Sequence, residues 1–334
     1  MKIVRTFAIL AAAALAWACS PQKEAAPSGG EAGVIRFATD WRAQAEHGGF
    51  YQAAADGLYA DAGLDVSLIQ GGPAVNVPQL IAAGAVEMGM GSSSFMPLNL
   101  VQAGAPVRAV MACFQKDPQV LLTHPRADVK SLADIKGKPV MISDASITAM
   151  WRWLAARYGF TDDQIRKYTF NAGPFLADPT AIQQGYVTSE PYTLEKAGVT
   201  PQVFLLADAG YPSYGCLALA PQTLIDQNPK AVQAFVSATA EGWKRYLTGD
   251  PAKADALIQK DNPDMPADVL ANARARMVEY GIVMSGDAKD GAAIGAMTDA
   301  RWADFFTTMA GVGVFPRELD VSKAYTLAFV GGAA

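Results

Sequence analysis

The chain has 334 residues, of which 51% are hydrophobic, and 32 acidic against 27 basic side chains leave a net charge of −5. With no cluster of Lys and Arg to neutralise phosphates, nucleic-acid binding is excluded as a function class. The length suffices for one large or two medium domains, and beyond the N-terminus no apolar run is long enough for a membrane helix.

Lys2 and Arg5 precede an apolar run from Phe7 to Ala18 that is shorter than a bilayer span, which predicts a signal sequence over residues 1–19. Ala16-Trp17-Ala18 satisfies the small-x-small rule of ordinary signal peptidase, whereas Cys19 resembles the acceptor cysteine of a bacterial lipoprotein. The polar tether that begins at once, residues 20–33, favours lipid attachment at Cys19 and a periplasmic protein held to a membrane. That stretch of Pro, Gly, Ala, Glu and Lys has no large apolar side chain to offset its ordering entropy.

From Val34 onward, short strand-like runs alternate with helical ones, the pattern of an α/β fold with a mostly parallel sheet. Strands are predicted at 34–39, 64–70, 86–90, 107–113, 119–123, 139–143, 203–207 and 216–220. Phe50, Ala54 and Leu58 fall at four-residue steps and predict one helix from Gly49 to Tyr59. After Pro221 long amphipathic helices dominate, at 231–247, 268–280 and 299–309, and no strand signal returns. No single linker divides the chain, as expected when it starts one lobe, crosses to a second and comes back. The crossings are expected at 127–137 and 210–215.

Phosphate-binding glycine loops, HExxH, CxxC and GxSxG are absent, and the sequence holds only His47 and His124. A metal centre or a nucleophilic triad has little support, and no cofactor is expected. Cys113 and Cys216 border short apolar segments. If these are neighbouring strands a disulfide is open to them, and two small buried side chains is the equal alternative.

The distinctive residues sit where strands end and helices begin, the ligand-collecting positions of open α/β sheets. Trp41 follows the first strand and offers a flat face. His47 and Tyr51 flank Gly48 and Gly49, which would let backbone approach a ligand. Asn76 follows the second strand and is as readily explained as a helix cap. Ser92 and Ser93 follow the third, and of Ser92, Ser93 and Ser94 one is expected to cap a helix. In the second half, Ser146 and Trp151 begin a helix, Glu190 and Tyr192 follow Gly185-Tyr186, and Tyr214 follows a later strand. A carboxylate among aromatics suits a ligand with N–H donors; Glu190 as the cap of its own short helix is the close alternative.

Glu46-His47-Gly48-Gly49-Phe50-Tyr51, Gly57-Leu58-Tyr59, Gly63-Leu64-Asp65-Val66, Ser131-Leu132-Ala133-Asp134-Ile135-Lys136-Gly137-Lys138 and Glu190-Pro191 together resemble the NMT1/THI5-like (SsuA/THI5-like) periplasmic binding proteins. The resemblance implies a type II two-lobe clamp: residues 34–123 plus 213–334 in the first lobe, 124–212 in the second, the ligand between them. It implies a monomer whose partners are a small-molecule ligand and the permease and ATPase subunits of an ABC importer. It also implies a thiamine-precursor pyrimidine or similar aromatic nitrogen heterocycle, bound by Trp41, His47, Tyr51, Trp151, Glu190, Tyr192 and Tyr214, with Ser92, Ser93 and Asn76 as polar contacts. Riboflavin, or a small anion such as a sulfonate, taurine or nitrate, is the alternative. An enzyme of the pyrimidine-forming kind is disfavoured, because the chain carries export features and has Ala112-Cys113-Phe114-Gln115 in place of a cysteine-rich motif.

Overall fold

The computed structural model describes residues 33–286 and 294–330; the expected signal sequence with Cys19 and the tether up to residue 32 lie outside the described residues. The chain begins with β1 (Gly33–Ala38), α1 (Gly48–Ala55), α2 (Leu58–Asp61), β2 (Leu64–Ile69), α3 (Val77–Ala82), β3 (Met88–Ser93), α4 (Phe95–Gln102) and β4 (Val107–Phe114). It then runs through β5 (Gln119–Thr123), β6 (Val140–Ile142), α5 (Asp144–Ser146), α6 (Arg152–Tyr158), β7 (Ile165–Lys167), α7 (Gly173–Ala177), β8 (Ile182–Tyr186), α8 (Glu190–Lys196) and β9 (Gln202–Leu205). It closes with β10 (Gly215–Pro221), α9 (Gln222–Gln227), α10 (Pro229–Thr248), α11 (Ala252–Asp261), α12 (Ala267–Glu279) and α13 (Asp299–Gly311).

Two five-stranded sheets result, ordered β2-β1-β3-β10-β4 and β7-β6-β8-β5-β9, and they define two lobes. Each is parallel on one side and contains one strand running against its neighbours, β10 in the first sheet and β5 in the second. β4 and β10 pair with each other and are almost wholly buried, which is why both read as unbroken apolar runs. β2, at an edge, alternates buried and exposed residues.

Three expectations are corrected. Gln119–Thr123, expected in the first lobe, pairs with β8 and β9 in the second, so the first crossing is 115–118 rather than the 127–137 stretch and the lobe boundary moves with it. An isolated apolar strand carries no mark of which sheet will accept it. The helix expected over 49–59 is interrupted at Gly57, whose φ of 74° ends α1 and starts α2. Finally, β7 and β8 escaped prediction: Ile165-Arg166-Lys167 is short and charged, and Ile182-Gln183-Gln184-Gly185-Tyr186 buries glutamines where a strand pattern calls for apolar residues.

The paired glycines have a different purpose from the one expected. A Cβ on Gly48 would lie 1.9 Å from the Tyr246 ring and one on Gly49 2.2 Å from Trp243, so both make room for α10 to cross α1, and neither opens backbone to a ligand. Gly242 on α10 reciprocates, with a Cβ there 2.3 Å from the Gly49 carbonyl oxygen.

Candidate functional site

The first lobe contributes the loop after β1. Thr39 Oγ1 donates to the Trp41 carbonyl at 2.7 Å, and the Gly71 N–H donates to the same oxygen at 3.0 Å. A Cβ at Gly71 would fall 2.3 Å from the Thr39 oxygen, so only glycine lets the turn after β2 clasp this loop. Trp41 is thereby held half-buried at the lobe edge. Asp40 accepts from Ser92 Oγ at 2.5 Å and lies 3.5 Å from His47 Nε2. His47 is fully buried beneath it, and neither ring nitrogen has a hydrogen-bond partner. Glu46, 4% exposed, accepts a hydrogen bond from the Thr188 hydroxyl of the second lobe.

The second lobe answers with aromatics and a carboxylate. Phe170 reaches the Trp41 ring at 5.3 Å between centroids, and Tyr168 packs on Phe170 at 5.2 Å. Phe170 is 57% exposed and has a φ of 58°, a left-handed conformation that a bulky residue adopts only under constraint. The Tyr168 hydroxyl donates to Glu190 Oε1 at 3.1 Å, and the Tyr186 N–H donates to Oε2 at 2.8 Å. A Cβ at Gly185 would come within 2.9 Å of the Glu190 Cβ, so this glycine makes space for the carboxylate. Burial first, and the charge of Glu46 in addition, push the Glu190 carboxyl above its ordinary range, while its two donors pull it down. Burial first, and the charges of Asp117, Asp40, Glu46 and Glu190 in addition, push the Tyr186 hydroxyl well above its ordinary range.

Trp41, His47, Ser92 and Glu190 therefore gather at the junction of the lobes, with Ser93 half-buried beside Ser92. Ser146 stands at the facing end of β6, where its hydroxyl shares a 3.1 Å hydrogen bond with Ser143. The structure places the other expected contacts elsewhere. The Tyr51 hydroxyl donates to Asp261 at 2.7 Å from a ring that is 2% exposed. Asn76 is exposed and caps α3, accepting from the Gln79 N–H at 3.1 Å. Trp151 is fully buried in the second lobe, its indole N–H donating to Asp162. Tyr192, half-buried on α8, donates to Asp268 of α12 at 2.9 Å. Tyr214 is buried at the hinge, where its hydroxyl accepts from the Thr298 N–H at 3.0 Å. Cys113 and Cys216 lie on the paired strands β4 and β10 but are free, buried thiols, so the buried-core alternative holds in this structure. Burial and the neighbouring Cys113 push the Cys216 thiol up.

Tyr168 and Phe170 were missed because they follow β7, a strand too short and too charged to announce itself. An aromatic pair spaced i, i+2 between a strand and Gly173 was the available signal.

Two further junctions hold the lobes. At the hinge, Arg301 on α13 donates to the carbonyls of Pro212 at 3.2 Å, Ser213 at 3.1 Å and Gln115, and lies 4.1 Å over the Tyr214 ring. It thus ties both crossing segments together. At the rim, α8 meets α12: Lys196 pairs with Asp268 at 2.7 Å and Arg276 with Glu195 at 3.1 Å.

The family model described as NMT1/THI5 like matches residues 44–254, well over half of the chain. The chain belongs to the NMT1/THI5-like family. A curated relative, the riboflavin-binding protein RibY of Chloroflexus aurantiacus, is 26% identical over 298 residues, covering 85% of this chain and 82% of the relative. Among solved structures, the periplasmic aliphatic sulphonate-binding protein SsuA of Escherichia coli aligns with a TM-score of 0.65 at 17% identity, over 87% of this chain and 91% of that one. The desulfurization enzyme DszB aligns at a TM-score of 0.55 and 12% identity, over 87% and 96% of the two chains. The chain thus has the two-lobe periplasmic-binding-protein fold, to which the solved enzyme DszB also aligns.

Proposed function

We propose that this solute-binding protein of an ABC importer captures a planar nitrogen heterocycle, clamped between Trp41 of one lobe and the Tyr168–Phe170 pair of the other. The observation that carries the reading is the meeting of Trp41 and Phe170 across the lobe junction, 5.3 Å apart, with Tyr168 packed on Phe170 and donating to Glu190. Rings in this arrangement can part to admit a flat ring. A base stacked on an aromatic side chain gains about 1–3 kcal/mol, so two faces plus a charge-assisted hydrogen bond approach the roughly 8 kcal/mol of micromolar binding. Contacts made to both lobes would favour closure, and the permease and ATPase subunits would read the closed state.

The RibY relative supports riboflavin as one ligand to test. The carboxylate among the aromatics favours a second, a thiamine-precursor pyrimidine with N–H donors. Sulfonates fit this junction poorly, because Asp40, Glu46 and Glu190 would face the anion. Lipid attachment at Cys19 belongs to the same reading: Cys19→Ala is expected to move the protein from the membrane to the soluble periplasmic fraction, and an unchanged distribution would count against the anchor.

The test is thermal unfolding of the full-length protein with riboflavin, hydroxymethylpyrimidine, nucleobases, taurine and nitrate. A ligand at 100 times its Kd adds about 2.7 kcal/mol. A shift with a heterocycle that disappears in Trp41→Ala supports the clamp; a shift with the anions alone removes it.

A further inference from the structure

We infer that Cys113 and Cys216 are a modification site: they join as a disulfide when the chain folds in oxidising surroundings, and the thiols of this structure are its reduced form. The inference rests on the exported reading above only for where the chain meets an oxidant.

The first sheet brings the pair together. Cys113 lies on β4 and Cys216 on β10, its antiparallel neighbour. In that ladder Gly215 stands opposite Phe114 and Leu217 opposite Ala112, so Cys216 stands opposite Cys113 with no register shift between. Facing residues of an antiparallel pair have Cα atoms about 4.5–5.5 Å apart, inside the range of about 4.4–6.8 Å that a disulfide requires. Both side chains enter the same apolar core, Cys113 fully buried and Cys216 2% exposed.

A second observation singles out the position. Cys216 holds a φ of 47° within a buried strand, a left-handed conformation that costs a residue with a Cβ and that glycine adopts freely. Among the described residues outside glycine, Phe170 alone shares it. Backbone held in this way clusters where a side chain has a task beyond packing.

The bond would sit at the root of the clamp. β4 leads into the first crossing segment and β10 follows the second, so joining them ties both crossings at their base. Cys216 Sγ also lies 4.0 Å from the carbonyl oxygen of Glu46, whose side chain accepts from Thr188 of the other lobe.

The oxidant is a small disulfide such as oxidised glutathione, or the reactive disulfide of an exchange protein. One cysteine sulfur gives up its proton and attacks that disulfide, releasing one thiol. The other cysteine sulfur gives up its proton and attacks the mixed disulfide at the chain's own sulfur, releasing the second thiol. Two electrons and two protons thus pass to the oxidant. Because both sulfurs are buried in the finished sheet, the exchange belongs to folding, before β10 seats beside β4.

The test unfolds the full-length protein with reductant, refolds it in reduced and oxidised glutathione, alkylates it and digests it with trypsin. The expected product is the peptide Ala109–Lys116 linked to Ala197–Lys230, lighter by two hydrogens than the two apart. The linked protein is expected to melt about 5–10 °C above the same sample after reduction, because a loop of about 100 residues is closed. Cys113→Ala with Cys216→Ala is expected to abolish the response to reductant; where these variants do not fold, the comparison of the unaltered protein with and without reductant decides.

Recovery of the two peptides unlinked overturns the inference, as does a linked protein that melts no higher than the reduced one. Export is read separately, by alkylating whole cells that make the chain with and without residues 1–19. Linkage in the longer chain alone supports both readings. A pair that links on refolding and is reduced in both cell samples leaves the disulfide standing and counts against export.

Discussion

At the hinge, the Arg301 guanidinium meets three backbone carbonyls and the face of Tyr214. At the other junction of the lobes, Asp40, Glu46 and Glu190 meet hydroxyls, a peptide N–H and an imidazole without a hydrogen-bond partner. Both regions bury charge where two lobes touch. The first joins the two crossing segments through backbone carbonyls; the second joins the lobes through side chains, Glu46 to Thr188 and Trp41 to Phe170.

The largest expected effect comes from breaking the pivot. Arg301→Ala strips hydrogen bonds from a charged group and leaves carbonyls of both crossing segments without it, for a loss of about 3 kcal/mol in urea unfolding. Arg301→Lys is expected to recover little, because an ammonium cannot reproduce the planar fork. A loss confined to ligand affinity would show that the pivot belongs to the site.

Trp41→Ala acts on the opposite region. It removes one stacking face and is expected to lower affinity for a ring ligand by about 10- to 100-fold, with much less change in stability, since Trp41 is only half-buried. Stability falling as much as affinity would move Trp41 from the clamp to the core.

The pH dependence probes a carboxyl between the two regions. Asp117, at the first crossing, accepts from the Gln119 N–H at 3.0 Å, and burial, against these hydrogen bonds and Arg301, pushes its carboxyl from 3.8 up to about 6. The folded state therefore keeps a proton that the unfolded chain has lost. The resulting stabilisation is complete below about pH 4 and is gone once the pH has risen past about 6. Lowering the pH from 7.5 to 5 is expected to raise the unfolding free energy by about 1 kcal/mol through this group, and Asp117→Asn is expected to flatten that slope.

The smallest effect belongs to the rim. Asp268→Asn removes the exposed contacts to Lys196 and Tyr192, and exposed pairs are weak and screened. It is expected to leave the melting temperature unchanged while weakening ligand binding by two- to threefold at low salt, a difference that vanishes at 0.5 M salt. An effect that persists there would mean the contact is not electrostatic.

Much of the α/β alternation was readable. The central strands β4 and β10 are unbroken apolar runs because both faces of their sheet are covered, and the long C-terminal helices show their stripes because one face packs and the other is wet. The family-like segment around His47 was also visible, but its glycines proved to be the seat of α10, since Tyr246 and Trp243 lie 198 and 194 positions away and no local pattern announces them. Trp41 and Glu190 stood out as strand-end residues. Phe170 did not, because its part depends on a strained loop that only the opposite lobe gives a reason to hold.

What the sequence determined by itself was local: periodicity, caps such as Asn76, and the chemical character of the strand-end loops. What the tertiary structure decided was partnership. It assigned β5 to the second sheet, drew Tyr51, Trp151 and Tyr214 into structural hydrogen bonds, and set Trp41 of one lobe against Phe170 of the other. The physical reason is that periodicity follows from bonds between near neighbours, whereas a side chain's partner is set by which distant surfaces the hydrophobic cores bring together.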